Sequence, residues 1–150
     1  MPKETEYKFL VKDDSYKGMA TGKCRIVQGY VSRRKEGTVR VRVRDNEGFI
    51  TVKGANRGAT RDEWEYPVPA EEAVEMIRKV CLEGVIEKTR WIVPYAGLTW
   101  EIDEFHGRHE GLTVAEVELP DPDMPLETVA MPPFAGENVT GDPKYYNSNM

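Results

Sequence analysis

Charged and apolar residues alternate along this chain in short runs, a pattern that a β-strand sorts onto two opposite faces. The charges are Glu4, Glu6 and Lys8; Arg40, Arg42 and Arg44; Lys53; Glu63 and Glu65; Lys88 and Arg90; Glu101 and Asp103; Glu116 and Glu118. Between them stand Val, Ile, Tyr, Trp and Phe. Any one such face, read alone, is explained by solvation, because an antiparallel sheet often keeps one wet side. Arg40, Arg42 and Arg44 resist that reading. Three cations on one face repel one another unless anions or facing carboxylates compensate, and cross-strand pairing with Glu63 and Glu65 is one such compensation. Lys88/Arg90 and Glu101/Asp103 repeat the pattern on neighbouring runs. Arginine and lysine suit phosphate oxygens, and grouped carboxylates suit a hard divalent cation. Both on one surface point to a metal-bound polyphosphate.

Eight runs read as strands: Glu4–Val11, Arg25–Arg33, Thr38–Arg44, Phe49–Lys53, Arg61–Val68, Val85–Val93, Leu98–Phe105 and Leu112–Leu119. Turns are expected at Lys35-Glu36-Gly37, at Asp45-Asn46-Glu47-Gly48 and across Pro94–Gly97. Lys12 to Lys23 is a loop or a short helix. One amphipathic helix follows Pro69, from Ala70 to about Leu82, with Ala73, Met76, Ile77 and Val80 as its apolar stripe. A second short helix is expected near Leu126–Ala130. Closing eight antiparallel strands removes the sheet edges, so the expected fold is α+β: an eight-stranded antiparallel barrel with a charged interior and a few flanking helices. Its apolar face then lies outside, under the helices. Trp64, Trp91 and Trp100 share that parity and are expected to pack there rather than to stack bases.

The chain has 150 residues and a net charge of −5, which favours one domain over residues 1–150 and argues against general nucleic-acid binding. MPKETEYKFLV has no apolar signal core, and no run reaches membrane-spanning length. The expectation is a cytoplasmic protein, monomer or homodimer, with no membrane or nucleic-acid partner. Cys24 and Cys81 are expected to be reduced and packed. His106 and His109 sit in a Gly-containing turn and are expected to be solvated. There is no Walker-type phosphate loop and no nucleophile elbow.

Glu4-Thr5-Glu6-Tyr7-Lys8 resembles the E-x-E-x-K signature of the CYTH superfamily, the triphosphate tunnel metalloenzymes. Gln28-Gly29-Tyr30, Arg40/Arg42, Thr51-Val52-Lys53, Glu63-Trp64-Glu65, Glu87-Lys88-Thr89-Arg90, Trp100-Glu101-Ile102-Asp103 and Glu116-Val117-Glu118 agree in order. The tail from Val139-Thr140-Gly141-Asp142 to Tyr145-Tyr146-Asn147 looks like that of the small bacterial members. The resemblance implies an eight-stranded tunnel that binds triphosphates with Mg²⁺ or Mn²⁺. By motif, Lys8, Arg40, Arg42, Lys53, Lys88 and Arg90 resemble the phosphate-binding cations. Glu4, Glu6, Glu63, Glu65, Asp103, Glu116 and Glu118 resemble the residues that bind metal directly or through water. Glu4, Glu6 and Lys8 are the catalytic candidates. The group that takes the proton from water is left open among a carboxylate, a second metal ion and Lys8. Arg44 extends the arginine run with no assigned role, and Tyr7, on the opposite parity, is no threat to the site. The implied activity is a metal-dependent triphosphatase acting on inorganic tripolyphosphate. An adenylyl cyclase acting on ATP and a noncatalytic polyphosphate or nucleotide binder are the alternatives.

Overall fold

The computed structural model describes residues 3–81 and 83–150. In chain order its strands are β1 (Lys3–Val11), β2 (Gly22–Arg34), β3 (Gly37–Arg44), β4 (Glu47–Lys53), β5 (Thr60–Val68), β6 (Ile86–Tyr95), β7 (Leu98–Phe105), β8 (Thr113–Glu118) and β9 (Ala135–Asn138). Two α-helices, α1 (Tyr16–Met19) and α2 (Ala70–Val80), and several single 3₁₀ turns complete the chain. The first eight strands form an antiparallel barrel in the order β5-β4-β3-β2-β6-β7-β8-β1, closed by β1 pairing with β5. All eight strands expected from the alternation are present. The ninth, β9, was not anticipated. β8 runs along one edge of β1, while β5 and then β9 share the other.

Short connections keep the register. The β6–β7 turn places both Ala96 (φ 49°) and Gly97 (φ 82°) in the left-handed region, as a two-residue hairpin requires. β2 is longer than the sequence suggested, starting at Gly22, because Lys23 and Cys24 pair with Trp91 and Arg90 of β6.

The apolar faces do point outward and are covered. Phe9, Val93, Trp100, Ile102, Ala115 and Val117 pack beneath Tyr16 of α1 and beneath Val129 and Phe134 of the C-terminal segment. The rings of Trp100 and Phe134 meet edge to face at 6.1 Å, and those of Tyr16 and Trp91 at 5.9 Å. Trp91 and Trp100 thus pack as expected, and Trp64 is half-buried on β5. On the other side α2 covers Val41, with Val27, Val43 and Ile50. The expected stripe of α2 needs one correction. Ala73 and Ile77 are buried, but Val80 is 51% exposed. The helix stops at Val80, and the non-helical backbone of Cys81 (φ −99°, ψ 73°) leaves that residue buried in the core in Val80's stead. The expected last helical residue, Leu82, lies outside the described residues. Both cysteines are free.

Close approach between β2 and α2 depends on Gly29. A Cβ there would sit 2.6 Å from the Cβ of Cys81. Gly29→Ala is therefore expected to lose about 1–3 kcal/mol through overpacking. Urea denaturation measures it, and an unchanged midpoint would mean that α2 moves freely on the sheet.

The inner face is not charged throughout. Tyr30, Ile86, Phe105 and Val114 cluster with Leu112 and Met150. Tyr30, Ile86, Phe105 and Val114 share the inward parity of their strands with the charges, so one end of the barrel interior is apolar.

Candidate active site

The charges converge. Every one named in the alternating pattern except Asp103 lines a single cavity of about 190 Å³. Cross-strand register explains how. Lys8 lies opposite Glu116, Glu6 opposite Glu118, Lys53 opposite Glu63, and Arg90 opposite Asp103. Directly opposed residues share a face, so unlike charges meet at Lys8, Lys53 and Arg90, while Glu6 faces Glu118 and Glu101 faces Glu116 as like-charge pairs.

Asp103 is the exception, and it stands behind the wall. It is fully buried, and both its oxygens are taken. Oδ1 accepts from Arg90 Nε at 2.8 Å, and Oδ2 accepts from Arg90 Nη2 at 3.0 Å and pairs with Lys88 Nζ at 2.8 Å. Burial works against its charge, but Arg90 and Lys88 outweigh burial and hold the carboxyl at about 2. Lys88 is pushed the other way. Burial lowers it to about 7, with Arg90 and Arg42 adding to that and Asp103 resisting. The geometry thus makes Asp103 a holder of cations, with no oxygen turned toward the cavity.

The carboxylates fall into two coupled pairs. Burial raises Glu63 to about 7, helped by its hydrogen bond with Glu4. Glu4 itself stays below the usual range: the hydrogen bond from Glu63 and the charge of Lys53, 2.9 Å away, overcome its burial. Glu6 is pushed well up by burial and by Glu116 and Glu4 beside it. Glu116 is held low against burial by Lys8 and by the hydrogen bond from Glu6. In each pair one carboxyl, Glu63 or Glu6, is thus raised and its neighbour lowered. Glu118 is raised too, by burial and by Glu4 and Glu101. Among the described residues no three His, Cys, Asp or Glu side chains converge as a ready-made metal cage.

Of the cations, Arg40 reaches Thr51 Oγ1 at 3.2 Å and Glu65 at 3.6 Å, leaving its buried Nε without a partner. Arg42 donates from Nε and Nη2 to the amide oxygen of Gln28, at 3.0 and 2.8 Å. Arg44 lines the cavity beside them. His106 bonds Thr89 through Nε2 at 2.8 Å, and neither histidine lines the cavity.

Several residues of the site were given no role in it by the sequence reading. Arg61 lines the cavity and lies 3.2 Å from Glu4. Its signal was available, since it shares the parity of Glu63 and Glu65. Tyr30 lines the cavity as well, and Gln28 lies behind it. Both are neutral, and a search for alternating charge passes over them. The C-terminal tail also enters. Lys8 Nζ donates to the carbonyl of Tyr145 at 2.9 Å, Lys88 Nζ donates to Asn147 Oδ1 at 2.9 Å, and Asn56 donates to the Tyr146 hydroxyl at 2.9 Å. Phe105, also of inward parity, is buried in the apolar end, and the aromatics of the cavity wall are Tyr30 and Tyr146.

Comparison with known proteins agrees with this architecture. The CYTH domain profile matches residues 2–129. An inorganic triphosphatase of Acetivibrio thermocellus is 46% identical over 150 residues, covering 100% of this chain and 94% of the relative. One from Nitrosomonas europaea is 30% identical over 125 residues, covering 82% of this chain and 81% of the relative. A crystal structure of an inorganic triphosphatase superimposes with a TM-score of 0.67 at 29% identity, covering 99% of this chain and 94% of that one. A Pyrococcus horikoshii protein shares the fold at a TM-score of 0.62 and 22% identity, over 79% of this chain and 80% of the other. No described helix is long and apolar enough to cross a membrane. The barrel topology, the charged wall and the match along the chain have one reading: this protein belongs to the CYTH domain family.

Proposed function

We propose that the protein hydrolyses the terminal phosphoanhydride of inorganic tripolyphosphate, with Mg²⁺ or Mn²⁺ as cofactor. The observation that carries this is the cavity itself. Lys8, Arg40, Arg42, Lys53, Lys88 and Arg90 all line about 190 Å³ of space, below the roughly 300–1,000 Å³ typical of pockets that enclose drug-sized ligands. A compact, highly charged linear anion suits it better than a nucleotide. The inorganic triphosphatases among its relatives support the same substrate.

The donor set fits a hard divalent ion. The wall offers carboxylate oxygens, and the raised pKa of Glu6 beside Glu116 and of Glu63 beside Glu4 marks negative charge that a cation would relieve. With no three carboxylates converging among the described residues, such an ion keeps water ligands and takes the rest from substrate, as Mg²⁺ commonly does. Glu4, Glu6, Glu116 and Glu118 would hold it, with Glu63 and Glu65 on neighbouring β5. Asp103 would not, because Arg90 and Lys88 occupy both its oxygens. When bound, the ion neutralises phosphate oxygens and lowers the pKa of a coordinated water.

The chain's own groups do the remainder. The cations spread along the cavity hold the three phosphates and stabilise the charge that moves onto the leaving pyrophosphate oxygen as the terminal P–O bond breaks. Lys8 and the Glu4/Glu6 carboxylates flank the end at which water attacks. Water supplies the new P–O bond, its proton passes to a wall carboxylate, and the products are orthophosphate and pyrophosphate.

A substrate panel tests this. Tripolyphosphate, ATP, thiamine triphosphate and pyrophosphate are each assayed with Mg²⁺ and with Mn²⁺. The expected result is a kcat/KM for tripolyphosphate at least about tenfold above ATP, with pyrophosphate poor because it leaves part of the cationic set unpaired. ATP preferred, with cyclic AMP as product, overturns the assignment. Tight binding of tripolyphosphate with no phosphate release under either metal overturns it in favour of a binder.

A further inference from the structure

The cations of the wall are held in two different ways. Arg90 and Lys88 share Asp103, Lys53 is paired with Glu4 and Glu63, Arg40 with Glu65, and Lys8 with Glu116. Arg42 is different. Among the described residues no carboxylate comes within ion-pair distance of it, and its guanidinium is fixed by one neutral group, the side-chain amide of Gln28. Gln28 is fully buried, lies opposite Arg42 in the β2–β3 register, and does not line the cavity.

The amide is oriented without ambiguity. A guanidinium only donates, so Gln28 must turn its oxygen to Arg42 and its NH₂ away. That NH₂ reaches the Tyr30 hydroxyl and Asn147 Oδ1, each at 3.2 Å. One buried amide therefore sets the direction of Arg42, of the Tyr30 ring and of the tail residue that accepts from Lys88.

We infer that Gln28 is a positioning residue that aims Arg42 at the substrate while leaving its charge uncompensated, so that the phosphate anion itself becomes the guanidinium's counter-charge. The inference deepens the reading of this cavity as a triphosphate site and rests on it. A carboxylate at position 28 would hold the fork equally well, since Arg–carboxylate pairing is bidentate and strong. It would also neutralise the cation before substrate arrives. A neutral acceptor costs the empty protein stability, because a buried cation lacks its partner. The same deficit strengthens the pull on an incoming anion.

The isosteric Gln28→Glu separates these effects. Three things are measured on it: affinity for tripolyphosphate in excess chelator by titration calorimetry, kcat and KM with metal, and melting temperature of the empty protein. The expected result is at least a tenfold loss of affinity and a matching rise in KM, with a smaller change in kcat and a melting temperature equal to or above the parent's. A residue that only packs the barrel cannot give weaker binding together with a firmer fold. Affinity within twofold of the parent overturns the inference. Should Gln28→Glu not fold, Gln28→Met removes the acceptor at similar size: a tenfold loss of affinity in a folded variant upholds the positioning role, and parental affinity overturns it. Failure of the substrate reading looks different. It shows as no turnover of tripolyphosphate by the parent protein, and the same comparison is then made with the phosphate compound that the panel selects.

Discussion

Asp103→Asn is expected to lower kcat/KM for tripolyphosphate by about 10²–10³-fold and to destabilise the empty protein by about 3–5 kcal/mol. The size follows from what Asp103 touches. One fully buried carboxylate holds both Arg90 and Lys88, and removing its charge leaves two buried cations facing each other. In a chain of this length each kcal/mol moves the melting temperature by roughly 2–4 °C, so a drop on the order of 10 °C is expected. Lys88 has an escape that Arg90 lacks. Burial already holds it near 7, and without Asp103 it falls further, so at neutral pH it sheds its proton and with it its hold on phosphate. The residual activity of the variant should therefore rise as pH is lowered toward 6, opposite to the parent's carboxylate-dependent side. Thermal melts and a pH profile of kcat/KM check both parts. A metal-ligand role would give another outcome: unchanged melting temperature, with activity restored by excess Mn²⁺. That result would return Asp103 to the metal set in which its motif position had placed it.

Parity is what the sequence made legible. Two-residue periodicity located all eight barrel strands and told, for each, which side faced in; Val39, Val41 and Val43 against Arg40, Arg42 and Arg44 is the clearest instance. Depth along the barrel is not encoded in parity. Glu101, Asp103 and Phe105 alternate on one strand and all face inward, yet the first lines the cavity, the second stands behind it and the third belongs to the apolar end. Only the cross-strand register separates them. Neutral members of the site stood in the sequence only as parts of a motif, with no role attached, for a related reason. Gln28 and Tyr30 matter through the direction they give a neighbour, and a tally of charges cannot register that. The strand β9 and the tail could not be read because they gain their structure from partners far away in sequence. Asn138 pairs with Phe9, and Asn147 is placed by Gln28 and Lys88. Val80 kept helical spacing and still faces solvent, since the helix ends one residue before Cys81.

Glu6→Gln should separate the fold's needs from the site's. Glu6 lies beside Glu116 and Glu4, and burial together with those two charges raises its pKa well above the ordinary carboxylate value; Glu63 is raised to about 7 for like reasons. A group whose folded pKa is raised binds its proton more tightly when folded. Its stabilisation is complete below about 4.5 and is lost as pH climbs through the folded pKa. Glu4 and Glu116 have lowered values, so their contribution appears above about 4.5 and disappears as pH falls below it. Between pH 4.5 and 7 Lys88 is protonated in both states for most of the range and adds little slope. The melting temperature of the metal-free parent should accordingly decline from pH 5 toward pH 7, and Glu6→Gln, which carries a permanent neutral amide, should flatten that decline. At pH 7 the variant should be at least as stable as the parent, since one of two crowded carboxylates has gone. Turnover should move the other way, falling about 10²–10³-fold with a higher metal requirement, because an amide offers a divalent ion a weaker oxygen and no charge. Melting curves across pH and a Mg²⁺ titration of activity give both readings. Parental turnover in Glu6→Gln, or full parental activity in excess chelator, would remove Glu6 from the catalytic set and the metal from the mechanism, and would leave the phosphate-binding cations to act alone.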